Sequence, residues 1–257
     1  MPGRWVVVVP VKDAAAGKTR LAGALDDRSR TALARAMALD TIAAAAACDA
    51  VGVVVVVTAD RVVAAEAAGV RPGYDRAAME AVGGRPCDDR AVMETSAGRQ
   101  RAGGAAVRVI SEPSHAGARS GLDAAAAAGV ARARTLAPTA PVAVLLGDLP
   151  ALLPEDLGSA LRAAEALARA VVADVPGTGT TLLTISAAAP FDSRFGAGSA
   201  AAHVALGYVP LDIADTSTLR RDIDLPADLD TLLTLHPGPH TARLLNRLIP
   251  QGGRAEG

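Results

Sequence analysis

Aromatic residues and net charge are both scarce in this sequence. Phe, Tyr and Trp make up 2% of the 257 residues, and 26 Lys+Arg stand against 27 Asp+Glu, for a formal net charge of −1. This nearly even balance of charges gives no reason to expect nucleic acid or an anionic membrane as a partner, and any phosphate site must be local. We interpret the low aromatic content, together with the abundant alanine, as a bias of composition.

Cysteines and long apolar runs are scarce as well. Cys48 and Cys87 lie far apart and do not have the spacing of metal ligands, which favours a reduced, cytoplasmic protein. The apolar stretch Trp5–Val11 ends after seven residues at Lys12 and Asp13. It is too short for the apolar region of a signal peptide with its cleavage site, and too short to span a membrane.

Short aliphatic runs alternate with alanine-rich segments. Because the runs are almost continuously apolar, they indicate strands covered on both faces. Helix patterns occur before Cys48, from Ser120 to Leu136, and after Pro154, which suits a first helical turn. Strands alternating with helices predict a three-layer α/β fold. The predicted strands are Trp5–Val11, Val51–Thr58, Val107–Ile110, Val142–Leu146, Val171–Val175 and Thr181–Ser186.

Three segments interrupt this alternation of strands and helices. Residues 71–104 are rich in glycine, arginine and acids and have no strand-like run, so we predict a flexible insertion there. The sequence 176-PGTG-179 is a turn signal between two apolar runs and predicts a hairpin. Residues 251–257 are predicted to be a disordered tail, which leaves 1–250 as a single domain.

The segment after the first predicted strand contains Gly17-Lys18-Thr19, the end of a phosphate-binding P-loop motif. The motif requires a glycine five residues before Gly17, and Lys12 stands there instead, which argues against a P-loop kinase. What remains is a loop with Lys12, Lys18 and Arg20 after a strand. Such cations suit a polyphosphate beside a helix start, although a solvated basic loop would look the same.

Carboxylates follow the later strands. Asp148 comes directly after a buried strand, where an oxygen ligand suits Mg²⁺ bound with a nucleotide phosphate, although an aspartate there can also be a helix cap. Asp222 and Asp224 precede a predicted helix that begins at Pro226. Their side chains point the same way if that segment is extended, so one of them is a candidate second metal ligand. Asp228, in the first turn of that helix, is interpreted as structural.

Two glycine-rich loops are candidate binding sites for an anionic substrate. One is 177-GTGTTLLTIS-186, with amide and hydroxyl donors. The other is 195-FGAGSAAAH-203, where Gly196, Gly198 and Ser199 open a helix. Glycine turns are frequent and mostly structural, so neither loop is specific alone. His203 lies on the helix that follows this second loop and is interpreted as structural or as supporting the loop, and His240 is interpreted as a loop residue.

Taken in order, the motifs PVK-x₅-KTRLA, GDLPAL, GTGTTLL, FG-x-GSAAAH and LRRDIDLPADL resemble the guanylyltransferases of coenzyme F420 biosynthesis. The resemblance covers nearly the whole chain outside 71–104 and the tail. It implies the nucleotide-diphospho-sugar-transferase-like, Rossmann-like α/β/α fold with a mixed, mostly parallel central sheet. It also implies transfer of GMP from GTP to phosphoenolpyruvate, giving enolpyruvyl-diphospho-5'-guanosine and pyrophosphate, with a downstream F420 biosynthetic enzyme receiving the product.

The same resemblance assigns roles to particular residues. It implies phosphoenolpyruvate binding by Thr181, Gly196 and Ser199, and GTP binding and catalysis by Lys12, Lys18 and Arg20. The catalytic Asp148, with Asp222 or Asp224, would hold Mg²⁺. Nucleotide binding would also involve Gly121 and Asp123, where the family usually has Gly-Leu-Asn. Because a carboxylate cannot donate a hydrogen bond as an amide does, base or sugar recognition would differ if Asp123 positions the nucleotide.

Several alternatives stay open at this level. The acceptor could be 2-phospho-L-lactate or 3-phosphoglycerate. Phosphoenolpyruvate and 2-phospho-L-lactate differ only by a C=CH₂ against a CH–CH₃ group, and a hydrophobic pocket separates such pairs by only ~10–200-fold. A molybdopterin-type nucleotidyltransferase and a non-catalytic nucleotide-binding protein would have the same fold. The sequence does not decide the oligomeric state, so a homodimer also stays open.

Overall fold

The computed structural model describes residues 4–12, 25–70, 104–113, 120–224, 228, 232 and 234–248. Lys18 and Arg20 lie outside these ranges, as do the predicted tail and the predicted insertion apart from Gly104. No helix in the described ranges is long and apolar enough to cross a membrane.

Seven strands form one mixed sheet in the order β3-β2-β1-β4-β6-β5-β7. β6 is antiparallel to its neighbours β4 and β5, and every other pairing is parallel. The predicted mixed, mostly parallel sheet is therefore confirmed, and so is the predicted hairpin, which joins β5 to β6. The strands are β1 Trp5–Val11, β2 Val51–Thr58, β3 Ala106–Ser111, β4 Val142–Leu145, β5 Arg169–Ala173, β6 Thr180–Ile185 and β7 Val209–Pro210.

Most helix starts coincide with residues that can satisfy exposed backbone amides. Asp26 and Asp60 accept hydrogen bonds from the first-turn amides of α1 and α2, and Ser120 does so for α3. α4 begins with Pro154, which needs no amide partner there. The helices are α1 Asp27–Ala47, α2 Arg61–Ala68, α3 Gly121–Leu136, α4 Pro154–Ala164, α5 Ser199–Ala205 and α6 Pro239–Leu248, with a short 3-10 helix at Thr218–Arg220.

Alternation along β1 divides the core into two faces. Val7 and Val9 pack in a cluster with α1, α2 and α4, whereas Val6 and Val8 pack in a second cluster with α3. All four valines are at most 1% exposed. A strand buried on both faces reads as a continuous apolar run, which explains why β1 shows no polar alternation. The predicted three-layer arrangement is confirmed.

α6 packs on the outer face of α1. Asp40 of α1 is 2% exposed, and its carboxylate accepts hydrogen bonds from the amides of His240 and Thr241 in the first turn of α6. A carboxylate at a helix N-terminus satisfies amides that lack partners within the helix. The interpretation of His240 as a loop residue is therefore wrong, because it stands in the first turn of α6.

Candidate active site

A cleft of about 450 Å³ opens at the edge of the sheet where the parallel strands end. Lys12 follows β1 there, Asp148 follows β4, and Thr180 begins the antiparallel strand β6. In open α/β sheets, ligands bind at the carboxyl ends of the strands, where loops leave the sheet. The volume lies within the range of small-molecule sites.

Three carboxylates converge in this cleft. One oxygen each of Asp148, Asp222 and Asp224 can be chosen so that all lie within 4.8 Å of one another, and all three residues are half-buried. The amide of Ile223 donates to the carbonyl oxygen of Asp148 at 3.2 Å, which holds the two segments together. Both Asp222 and Asp224 thus reach Asp148, and the binding of Mg²⁺ by these carboxylates stays a prediction.

The segment that carries Asp222 and Asp224 is anchored at both ends. Before it, the Arg220 guanidinium donates to the carbonyl oxygens of Ala173 and Asp174, at 3.1 and 2.9 Å. After it, the Asp228 carboxylate accepts from the Asp224 amide at 2.8 Å, which confirms the structural interpretation of Asp228. The Arg220 bonds hold the start of this segment against the end of β5.

The charge of the cleft favours a cation. The described residues that line the cleft include Asp148, Asp174, Asp222 and Asp224, and Lys12 is the only lysine or arginine among them. Convergent carboxylate oxygens are the ligands of Mg²⁺ and Ca²⁺, and an unneutralised set would repel itself. The donor set therefore fits a hard divalent cation.

The hairpin between β5 and β6 forms one wall of the cleft. Asp174 accepts from the amides of Thr178 and Gly179, both at 2.8 Å, and a side chain at position 179 would collide with that carboxylate. Thr180 lines the cleft, whereas Thr181 does not. Thr181 is fully buried, and its hydroxyl donates to the Val172 carbonyl at 3.5 Å. Thr180 and not the predicted Thr181 therefore faces the cleft, because successive strand residues face opposite sides.

The loop before α5 forms another wall of the cleft, which Gly196, Gly198 and Ser199 all line. Gly196 has φ +128° and Gly198 has φ +70°, conformations that residues with a side chain rarely adopt. The amide of Ala200 donates to the Thr178 carbonyl at 3.1 Å, so this loop and the hairpin are joined. The structure places Gly196 and Ser199 beside the cleft, and their contact with phosphoenolpyruvate stays a prediction.

Asp123 lies behind this loop. Its carboxylate accepts from the Ser120 and Ser193 hydroxyls, at 2.6 and 2.8 Å, and from the Phe195 amide at 3.0 Å. Asp123 is 7% exposed, and neither it nor Gly121 lines the cleft, although Leu122 between them does. The structure thus places this carboxylate against the 193–195 segment, and its predicted contact with a nucleotide stays a prediction.

Sequence reasoning missed several residues at this site. Arg220 acts through the carbonyl oxygens of Ala173 and Asp174, which lie far away in the sequence, so no local pattern marks it. Asp174 accepts from amides four and five residues later, within the predicted hairpin turn, and was not singled out. Thr180 stands beside the predicted Thr181, and the strand's period of two could have separated them had the register been known.

The fold and the site define a class first. A solved structure from Desulfovibrio desulfuricans, provisionally described as a nucleotide-diphospho-sugar transferase, matches with a TM-score of 0.51 at 15% identity, covering 90% of this chain and 96% of the other. At this identity the likeness shows the fold alone, which is that of the nucleotide-diphospho-sugar transferases.

Sequence relatives identify the family within that class. The family profile described as "Guanylyl transferase CofC like" matches residues 5–72. The phosphoenolpyruvate guanylyltransferase of Sanguibacter keddieii is 51% identical, covering 95% of this chain and 84% of the relative. That of Thermomonospora curvata is 41% identical, covering 95% and 90%. The chain belongs to the phosphoenolpyruvate guanylyltransferase family and is a nucleotidyltransferase.

Proposed function

We propose that this chain transfers GMP from GTP to phosphoenolpyruvate, with Mg²⁺, in the cytoplasm. The observation that carries the proposal is the three-carboxylate cluster, which faces two donor-rich loops across one cleft in a chain 51% identical to an enzyme named for this reaction. The product, enolpyruvyl-diphospho-5'-guanosine, would pass to a downstream enzyme of coenzyme F420 biosynthesis.

The transfer needs no general base on the protein. An oxygen of the phosphoenolpyruvate phosphate attacks the α-phosphorus of GTP in line, and a new P–O bond forms. The bond from the α-phosphorus to the bridging oxygen breaks, and pyrophosphate leaves with the electron pair. Because a phosphate monoester is already anionic near neutral pH, no proton has to be removed. Catalysis then rests on positioning and on neutralisation of charge.

The residues of the cleft divide these tasks between them. Asp148, Asp222 and Asp224 would hold Mg²⁺, which when bound would neutralise phosphate charge. Lys12 would face the triphosphate, together with Lys18 and Arg20, which the family resemblance assigns to that role. Thr180, Gly196 and Ser199 would offer hydroxyl and amide hydrogens to the acceptor. Anions of the acceptor and the nucleotide would thus lie on either side of the carboxylate cluster.

The test is pyrophosphate release from GTP and Mg²⁺ with phosphoenolpyruvate, 2-phospho-L-lactate or 3-phosphoglycerate in parallel, with products identified by mass. A guanylylated product from phosphoenolpyruvate supports the proposal, and controls omit the acceptor, omit Mg²⁺, or replace GTP by ATP. Preference for another acceptor would keep the reaction and change the substrate. Release of GDP or inorganic phosphate from GTP, or no turnover with any acceptor, would contradict the proposal.

A further inference from the structure

His203 lies directly behind the cleft wall, in the short helix α5. It is fully buried, and its ring contacts Phe195 and Tyr208 edge-on, with centroids 5.0 and 5.6 Å apart. Burial lowers the pKa of His203 to about 4, although the carboxylates of Asp123 and Asp192 act in the opposite direction. The imidazole is therefore neutral at pH 7, with one nitrogen protonated and the other free to accept.

The hydrogen bonds of His203 decide which nitrogen carries the proton. Nε2 lies 2.9 Å from the backbone amide of Arg194, and Nδ1 lies 2.9 Å from the Thr180 hydroxyl. A backbone N–H can only donate, so Nε2 must accept. In the neutral ring the proton is then on Nδ1, and the Thr180 oxygen accepts it.

This tautomer leaves the hydrogen of the Thr180 hydroxyl available. Among the described residues, His203 is the only hydrogen-bond partner of that hydroxyl, and the bond uses the oxygen as acceptor. Thr180 lines the cleft between Gly179 and the loop that contains Gly196. A hydroxyl held in this way can donate to an anion in the cleft, and its rotation is limited because one lone pair is already engaged.

The second nitrogen links the same ring to the other wall. By accepting from the Arg194 amide, His203 fixes the residue that precedes Phe195 and Gly196. One neutral imidazole thus joins the first residue of β6 to the start of the glycine loop. A charged ring would have two donors and would oppose the Arg194 amide, so the arrangement requires the neutral form.

We propose that His203 is a positioning residue for the acceptor. His203 holds the Thr180 hydroxyl so that the hydroxyl hydrogen points into the cleft. It also holds the Arg194 amide, so that the Gly196–Ser199 loop faces the cleft. The proposal rests on the proposed function, since the acceptor is the anion that Thr180 would contact. His203 itself does not touch the substrate. Its effect on turnover must therefore pass through Thr180 and the loop.

The tautomer can be measured without any substrate. In protein labelled with ¹⁵N-histidine at pH 7, we expect His203 to show a protonated Nδ1 and an unprotonated Nε2, with its signals assigned by their loss in His203→Asn. A protonated Nε2, or a charged ring at that pH, would overturn the proposal whatever the enzyme's activity. The tautomer is read in the wild-type protein, and the variant serves only to assign the signals of His203.

Kinetics then test the route through Thr180. Loss of one hydrogen bond to a charged acceptor predicts that Thr180→Val raises the KM for phosphoenolpyruvate about 10- to 100-fold. His203→Phe should raise it similarly, with less than about a 3-fold change in the KM for GTP. In the Thr180→Val background, His203→Phe should raise the KM for phosphoenolpyruvate little further, because the hydroxyl that His203 orients is already gone.

Two further variants separate positioning from folding. His203→Asn retains a donor near the Nδ1 position and should recover part of the acceptor KM relative to His203→Phe. His236→Asn is the matched control, because His236 is exposed, has φ +53°, and asparagine tolerates that conformation. Equal rises in both KM values, or fully additive effects of the Thr180 and His203 changes, would overturn this proposal alone. A wild-type protein that neither binds nor guanylylates phosphoenolpyruvate would instead refute the proposed function, and this proposal with it.

Discussion

Asp148 lies three residues after the end of β4, and its carboxylate lies close to those of Asp222 and Asp224 in the cleft. We expect Asp148→Asn to lower turnover at least about 100-fold, since a metal ligand can supply several kcal/mol of charge stabilisation. The change preserves shape and removes one of three converging negative charges. The free energy of unfolding should therefore stay the same or rise, as measured by urea denaturation beside the pyrophosphate assay.

Asp212→Asn is the control for Asp148, because it makes the same chemical change at an exposed position outside the cleft lining. It should leave both turnover and stability unchanged. Retention of more than a tenth of the wild-type rate by Asp148→Asn would remove Asp148 from the metal site.

Asp123 permits a second prediction at the scale of one residue. Asp123→Ala leaves the buried Ser193 hydroxyl and the Phe195 amide without their acceptor, which should cost about 1–3 kcal/mol of unfolding free energy. Asp123→Asn keeps one acceptor oxygen and should cost less. Urea denaturation measures both.

Kinetics of the same pair distinguish two roles for Asp123. If the carboxylate holds the 193–195 segment, Asp123→Ala raises the KM for the acceptor more than that for GTP. A selective rise in the KM for GTP in Asp123→Asn would instead support the nucleotide contact that the sequence resemblance implied.

Elements pack closely enough in this fold that a single methyl group matters. A Cβ at Gly129 of α3 would collide with a side-chain methyl group of Val8 in β1, and would stand 3.0 Å from Val57 in β2. We expect Gly129→Ala to destabilise the protein by about 1–3 kcal/mol, because neither strand can move away from the helix. Thermal and urea unfolding would measure this loss.

Gly158 of α4 is the matched control for Gly129, since it is also a buried glycine inside a helix. A Cβ there would meet the flexible end of Arg162 at 3.2 Å and the Cys48 sulfur at 3.4 Å. Gly158→Ala should therefore be neutral or gain up to about 1 kcal/mol from helix propensity. Equal effects at the two positions would show that propensity, and not the α3–β1 contact, controls stability.

The stability of the whole molecule should depend on pH through His203. The pKa of this ring is lowered by burial to about 4 in the folded protein, against an ordinary value of 6.5. The unfolded chain therefore binds more protons below pH 6.5, and stability falls as the pH falls from about 6.5 to about 4. The full loss from this group is about 3 kcal/mol.

Urea denaturation at pH 7 and pH 5 tests this dependence. The wild-type protein should lose more unfolding free energy between these values than His203→Asn, which has no group titrating in this window at position 203. Identical losses in both proteins would show that His203 does not titrate with the lowered pKa.

The sequence by itself determined the layers and most of the elements, although the helices α2 and α6 were not predicted. Continuous valine runs such as Val51–Thr58 indicated doubly covered strands, and the caps Ser120 and Pro154 marked helix starts, because strand burial and helix capping leave patterns within a few residues. The strands β1 to β6 were found within two residues of their predicted limits. The short strand β7 was missed, since two residues carry no periodicity.

Only the tertiary structure decided which side chains meet. The sequence left open whether Asp222 or Asp224 accompanies Asp148, and the structure brings all three carboxylates together at one edge of the sheet. Thr180 replaced Thr181 in the cleft because strand register, which local sequence does not specify, sets the face of each residue. The tautomer of His203 depends on an amide nine residues away and on a hydroxyl 23 residues away, and such long-range hydrogen bonds leave no local pattern.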